Sequence, residues 1–176
     1  MKSARLILVV CAASILFGST AWGLMPIKPG PEQEILKNLP GTWDMIAKVG
    51  GAETKGTAIY KLELGGHCVS SEIKTEFLGQ KYEQKGMGTY DATKKKFVFA
   101  WADSLSTTLN IFEGTYDEAS RKLTATGELT VPGGSPAKFK MVVEVKSVDN
   151  HVQTLAMVGA DGKEQEMVRI SYTRKK

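Results

Sequence analysis

From Gly41 onward, apolar and polar residues alternate with a period of two. Two of the clearest apolar series are Trp43, Met45, Ala47, Val49 and Phe139, Met141, Val143, Val145. Successive side chains of a strand point to opposite faces, so each series predicts a strand with one apolar and one polar face. The chain is therefore expected to be all-β, with an antiparallel sheet that buries one of its faces.

Turn sequences separate the alternating runs at short intervals. Among them are Gly50-Gly51, Gly65-Gly66, Asp91–Lys95, Asp117–Ser120, Asp149-Asn150 and Asp161-Gly162. One unit occurs twice, because Gly88-Thr89-Tyr90-Asp91 matches Gly114-Thr115-Tyr116-Asp117. The pattern predicts a meander of about ten strands between residues 41 and 174. Closure into an up-and-down barrel removes exposed edges and is favoured, with a two-sheet sandwich as the alternative.

The first 23 residues resemble a secretory signal peptide in composition. Met1–Arg5 carries two basic residues, residues 6–17 are apolar, and small residues precede a predicted cleavage site after Gly23. The apolar run is shorter than the roughly 20 residues of a membrane span. Lipidation at Cys11 is disfavoured because a bulky valine precedes it. The protein is expected to be exported to the periplasm or the cell exterior, with no membrane span after cleavage.

Charge and cysteine content narrow the possible partners. Loss of the leader would leave 21 basic and 19 acidic side chains, which is a balanced surface. The basic run Lys94–Lys96 lies in a predicted turn and no basic stripe is interleaved with aromatics, which argues against nucleic-acid binding. Cys68 would be the single remaining cysteine, so the fold must be held by packing without an internal disulfide.

A linker and a helix are predicted before the first strand. Residues 24–31 contain three prolines and should be extended. Glu32–Leu39 is predicted to be a helix, with acidic residues in its first turn and Ile35, Leu36 and Leu39 on one side. The helix is short enough to act as a lid or plug on a single barrel domain spanning residues 32–176.

Trp43 and Arg174 are predicted to close one end of the barrel. Gly41-Thr42-Trp43 opens the first strand, and Arg174 ends the last one on the inward face. The first and last strands of a closed barrel are neighbours, so the guanidinium can lie over the indole ring. This arrangement resembles the calycin superfamily (lipocalins, fatty-acid-binding proteins and nitrobindins), in which a Gly-x-Trp and a late arginine have this structural role.

A closer resemblance covers nearly all of the chain after the leader. Its motifs, in order, are Gly41-Thr42-Trp43-Asp44, Gly88-Thr89-Tyr90-Asp91, Trp101-Ala102-Asp103-Ser104, Gly114-Thr115-Tyr116-Asp117, Asp161-Gly162-Lys163-Glu164 and Tyr172-Thr173-Arg174. Together they resemble the bacterial family known as domain of unknown function 1579. The resemblance implies a calycin-like barrel, frequently exported, with no assigned catalytic residues.

Six residues are the best candidates for contacting a ligand inside such a barrel: Tyr60, His67, Tyr82, Gln84, Trp101 and Asp103. Asp103 continues the inward series of Trp101, which would place a carboxylate beside aromatic rings at a strand end. Tyr60, Tyr82 and Gln84 are expected to add inward polar groups. Apolar sites with a few polar groups bind small apolar or amphipathic molecules, and this is the predicted ligand class. The alternative for Asp103 is a turn cap that bonds to its own backbone.

The two histidines receive different predictions. His67 falls on the inner face by strand alternation, where it would either line the mouth or bind haem or a metal, as an inward histidine does in the similar nitrobindins. A lone histidine does not define a metal geometry, so no cofactor is predicted. His151 follows the Asp149-Asn150 turn and is expected to be solvated.

No catalytic constellation is visible in the sequence. Ser104 and Ser106 lie near Asp103, but neither belongs to a nucleophile elbow or pairs with a histidine. Cys68 has outward parity and no neighbour that would activate it. A binding barrel is therefore preferred to an enzyme. The remaining alternative is a structural or interaction protein, whose barrel would be filled by side chains and whose surface would carry an apolar patch.

Overall fold

A computed structural model of the chain describes residues 28–77, 79–130 and 134–176, so the predicted signal peptide and most of the linker lie outside the described residues. The described part is all-β, as predicted. Ten strands follow in sequence: β1 (Gly41–Val49), β2 (Ala52–Glu63), β3 (Cys68–Phe77), β4 (Gln80–Asp91), β5 (Lys96–Asp103), β6 (Asn110–Asp117), β7 (Lys122–Thr130), β8 (Pro136–Ser147), β9 (Asn150–Val158) and β10 (Glu164–Arg174).

The strands form a closed barrel in which each strand pairs antiparallel with its sequence neighbours. The barrel closes where β1 pairs with β10, in a register that sets Trp43 opposite Arg174 and Met45 opposite Tyr172. The barrel prediction is therefore confirmed and the two-sheet sandwich is wrong. Closure satisfies the edge hydrogen bonds that an open sheet of these strands would leave free.

A 3-10 helix covers one end of the barrel. It spans Pro31–Asn38, within a residue of the predicted helix, and it contacts β3 and β4. Leu36, on the buried side of this helix, packs in one cluster with Phe97 and Phe112. We call this end, where β1 begins, the helix end. The opposite end, which carries the β1–β2, β3–β4, β5–β6, β7–β8 and β9–β10 connections, is the loop end. No helix among the described residues is long and apolar enough to cross a membrane.

Arg174 ties the helix end together. Its guanidinium carbon lies 4.1 Å from the centroid of the buried Trp43 ring. Its nitrogens donate to the carbonyl oxygens of Asn38 and Pro40, both at 2.6 Å, and to that of Val148 at 3.1 Å. Arg174, near the end of β10, is therefore hydrogen-bonded both to the chain before β1 and to the β8–β9 turn.

Gly41 makes this arrangement possible for two reasons. Its φ of +131° is a conformation that residues with a Cβ rarely adopt. A Cβ at this position would also lie 2.7 Å from Nη1 of Arg174, which is a steric clash. The glycine that precedes Trp43 by two residues is thus required by the arginine that covers the indole.

Strand alternation fails around the β2–β3 connection. Leu62 and Leu64 have the same parity as the inward Tyr60 but are exposed; β2 ends at Glu63, and a 3-10 turn, Leu64–Gly66, follows. Cys68 was expected to face outward, yet it is buried. The 3-10 turn contacts β3, and burial together with the negative charge of Glu63 raises the pKa of Cys68.

We expect Arg174→Lys to lower the free energy of unfolding by about 2–3 kcal/mol, because lysine cannot bond several carbonyls and cover the indole at once. Urea denaturation of the purified barrel measures the change. Arg169→Lys is the matched control, since Arg169 is an exposed partner of Glu166, and its effect should stay within about 0.5 kcal/mol. Equal effects of the two variants would contradict the proposed role of Arg174.

Candidate ligand-binding cavity

The barrel encloses a cavity of about 370 Å³. Most of its wall is apolar or aromatic, and contributors from different strands include Ile73, Phe77, Phe99, Trp101, Met141 and Leu155. A smaller set of polar side chains also lines it, including Ser71, Gln84, Asn110 and Gln153. An apolar wall with a few polar groups is the usual composition of a small-molecule site, and the volume falls within the range of such sites.

The structure brings five of the six predicted ligand contacts together. Tyr60, Tyr82, Gln84, Trp101 and Asp103 all lie on the cavity wall. Gln84, Trp101 and Asp103 lie on one part of the wall because β4 and β5 pair in a register that sets Gln84 opposite Asp103. Both of these side chains point to the same face as Trp101.

Two glycines of β4 create space for the aromatic side chains of β5. Gly86 lies opposite Trp101 and Gly88 lies opposite Phe99. A Cβ at Gly86 would come within 2.9 Å of the Trp101 side chain, and one at Gly88 within 2.8 Å of the Phe99 ring. The absence of a side chain at Gly88 leaves room for the Phe99 ring, and its absence at Gly86 leaves room for the start of the Trp101 side chain; Phe99 and Trp101 both form part of the cavity wall.

His67 lies apart from the cavity. It follows the 3-10 turn with helical backbone angles and precedes the first residue of β3, so strand alternation does not extend to it. It is half-buried and absent from the residues that line the cavity. Its carbonyl oxygen accepts a hydrogen bond from the Thr89 hydroxyl at 2.7 Å. The placement of His67 on the inner face was wrong.

His151 is the histidine that faces the cavity, so its expected solvation was wrong. It is the second residue of β9, and only 5% of its surface is exposed. Its ring stacks on Tyr172 with centroids 4.4 Å apart and meets the Trp43 ring edge-on at 4.7 Å. Burial, with a smaller effect from the positive charge of Arg174, lowers the pKa of His151 to about 4. The imidazole is therefore neutral at physiological pH.

Two tyrosine hydroxyls lie on the same part of the wall as His151. Tyr172 is fully buried, and its hydroxyl has no hydrogen-bond partner of normal geometry among the described residues. The nearby Tyr60 hydroxyl is close enough to affect it, and burial raises the pKa of Tyr60 to about 12. Both hydroxyls stay protonated and form, with the imidazole, a neutral polar group near the helix end.

A second polar group lies near the loop end. The Tyr82 hydroxyl donates to Gln84 Oε1 at 2.8 Å. Asp103 Oδ1 accepts the backbone N–H of Leu105 at 3.0 Å, and Oδ2 accepts from the Asn110 side chain at 3.3 Å. Asp103 therefore does cap its turn, as the alternative prediction held, and it also lies on the cavity wall.

Sequence reasoning missed Asn110 and His151, among other polar residues of this wall. Asn110 begins β6 and is buried opposite Trp101, and a polar residue at a strand end is easily taken for part of the loop. For His151 a signal was present, because Gln153 and Leu155 continue its alternation into β9. No group of three or more potential metal ligands occurs within the described residues.

The chain belongs to the family described as protein of unknown function DUF1579, whose sequence profile matches residues 28–174. The resemblance inferred from the motifs is thus confirmed. The match covers the whole barrel and the helix that caps it. No curated protein is similar enough in sequence to count as a relative.

Among solved structures, Rv2717c from M. tuberculosis is similar with a TM-score of 0.61 and 15% identity, over 85% of this chain and 100% of that one. A redesigned β-barrel, mFAP1, solved bound to DFHBI, has a TM-score of 0.44 and 14% identity over 78% of this chain and 96% of that one. At this level of identity the likeness to Rv2717c reports a shared fold.

The buried neutral His151 should make the fold sensitive to mild acid. The unfolded chain takes up a proton at its ordinary pKa near 6.5, whereas the folded chain resists protonation until about pH 4. The free energy of unfolding is therefore unaffected by this group above pH 6.5. It falls by about 3 kcal/mol in total as the pH is lowered from 6.5 through 4. Urea unfolding at several pH values should show this loss in the wild type and a much smaller one in His151→Gln. Parallel pH curves for the two proteins would contradict the prediction.

Proposed function

We propose that this protein binds a small apolar or amphipathic molecule inside its barrel. The observation that carries the proposal is the cavity of about 370 Å³, whose wall is mainly aliphatic and aromatic. Burial of apolar ligand surface against such a wall provides the driving force, and the few polar groups orient the ligand.

The cavity also separates this proposal from its alternatives. A packed structural barrel requires side chains that meet at the axis, whereas here an internal volume remains. Haem or metal binding through His67 requires that residue on the cavity wall, and it lies elsewhere. The binding barrel is therefore the function that the geometry supports best.

We further propose that the barrel works outside the cytoplasm. The support is the order of residues 1–23, with a basic start, an apolar run and small residues before Gly23.

Cavity filling should weaken binding selectively. Val143 lines the cavity, and Val143→Phe should reduce the affinity for the neutral fluorescent probe N-phenyl-1-naphthylamine by about tenfold, or about 1.4 kcal/mol. Fluorescence titration measures the affinity. Val142→Phe places the same side chain one residue earlier, on the outer face of β8, and should leave the affinity unchanged. Equal losses, or no probe binding by the wild type, would contradict a ligand site inside the barrel.

Export predicts a defined mature chain. When the full-length protein is expressed in a bacterium with a periplasm, osmotic shock should release it, and intact-mass analysis should give a chain that begins at Leu24. Replacing two apolar residues of the leader, Leu6→Lys and Leu8→Lys, should leave the unprocessed chain in the cytoplasm. A processed chain that stays cytoplasmic, or an unprocessed chain in the periplasm, would contradict this proposal.

A further inference from the structure

The charge on the cavity wall is uneven. Among the described residues that line it, Asp103 is the single carboxylate, and neither lysine nor arginine contributes. His151 is neutral because burial lowers its pKa to about 4. The described lysines and arginines that form ion pairs do so with other carboxylates on the outer surface. Asp103 therefore gives the described part of the cavity wall a negative charge, and no ion pair among the described residues involves it.

The Asp103 carboxylate is held in a fixed position at the end of β5. The Leu105 N–H donates to Oδ1 and the Asn110 side chain donates to Oδ2. Asn110 is itself 4% exposed, and its Oδ1 accepts from the Thr108 hydroxyl at 3.5 Å. A carboxylate has about four acceptor positions, so each oxygen keeps capacity for a further donor.

Aromatic rings surround the same region of the wall. Trp101 precedes Asp103 by two residues on the same face of β5. Tyr82 is near enough for the Asp103 charge to add to the effect of burial in raising its pKa, and it meets Phe77 edge-on at 4.7 Å. Aromatic faces attract cations within about 6 Å, and this attraction strengthens when water is excluded.

We infer that the ligand is a cationic amphiphile, an apolar molecule with an ammonium group that Asp103 binds at the loop end of the cavity. The inference rests on the proposed function and specifies its ligand. The ammonium group donates to the free acceptor positions of the carboxylate and lies against the aromatic rings. The apolar body extends along the aliphatic wall toward the helix end.

The same charge distribution excludes the opposite class of ligand. A fatty acid or other anionic amphiphile would meet the Asp103 carboxylate at the loop end. At the helix end it would meet the neutral hydroxyls of Tyr60 and Tyr172 and the neutral His151. Arg174 is occupied by three backbone carbonyls and does not line the cavity. Nothing on the described wall offers an anion a countercharge.

Three probes of equal chain length and different head group test the inference. Decylamine, 1-decanol and decanoate are compared below their micelle concentrations at pH 7 by displacement of N-phenyl-1-naphthylamine from the full-length mature protein. The wild type should bind decylamine about tenfold more tightly than 1-decanol, the ratio expected for one charge-assisted hydrogen bond, and decanoate more weakly than both. This ranking needs no variant, so it stands even where a substitution impairs folding.

Asp103→Asn provides the matched variant, because asparagine keeps the oxygen that accepts the Leu105 N–H and removes the charge. It should abolish the preference, so that decylamine and 1-decanol bind this variant with similar affinity. Glu118→Gln removes one negative charge from the exposed β6–β7 turn at the helix end and should leave the preference intact.

The possible outcomes separate this inference from the proposed function. If 1-decanol binds and decylamine binds no better, the cationic class is wrong while the binding barrel stands. The same conclusion follows if Asp103→Asn keeps the full preference, or if Glu118→Gln loses it. If none of the three molecules displaces the probe from the wild type, the binding function itself is wrong.

Discussion

The contact between Arg174 and Trp43 is the constraint on which the rest of the fold depends. The two residues lie on the last and first strands, which are far apart in sequence and paired only when the barrel is closed. By also bonding to the carbonyl oxygens of Asn38 and Pro40, Arg174 fixes the chain that leads from the 3-10 helix into β1. Closure of the barrel and coverage of its helix end are thus coupled through one guanidinium group.

A barrel closed in this way leaves different chemistry at its two ends. At the helix end, Trp43, His151 and Tyr172 pack ring against ring, and burial keeps the ionisable groups among them neutral. At the loop end, the Asp103 carboxylate accepts hydrogen bonds from the Leu105 N–H and from the Asn110 side chain. The aliphatic and aromatic wall joins the two, so a bound molecule would experience a gradient from neutral to negative surroundings.

Most of the fold and part of the site could be predicted from local patterns. Alternation placed Tyr60, Tyr82 and Trp101 on the inner face, since a strand has a strict period of two wherever its pairing is regular. It failed for His67, which sits beside a 3-10 turn where that period does not apply. His151 was missed for another reason: its alternation with Gln153 and Leu155 is regular, but it comes directly after the Asp149-Asn150 turn and was assigned to the solvent.

The sequence by itself determined the strand pattern, the order of the meander and the family, because each follows from short motifs and from alternation along single strands. Only the tertiary structure decided that an internal volume remains, that Gly86 and Gly88 lie opposite Trp101 and Phe99, and which histidine faces inward. The physical reason is that these features depend on register across the barrel. Register joins side chains from separate strands, and the volume left inside is the difference between the space enclosed by ten strands and the side chains that fill it.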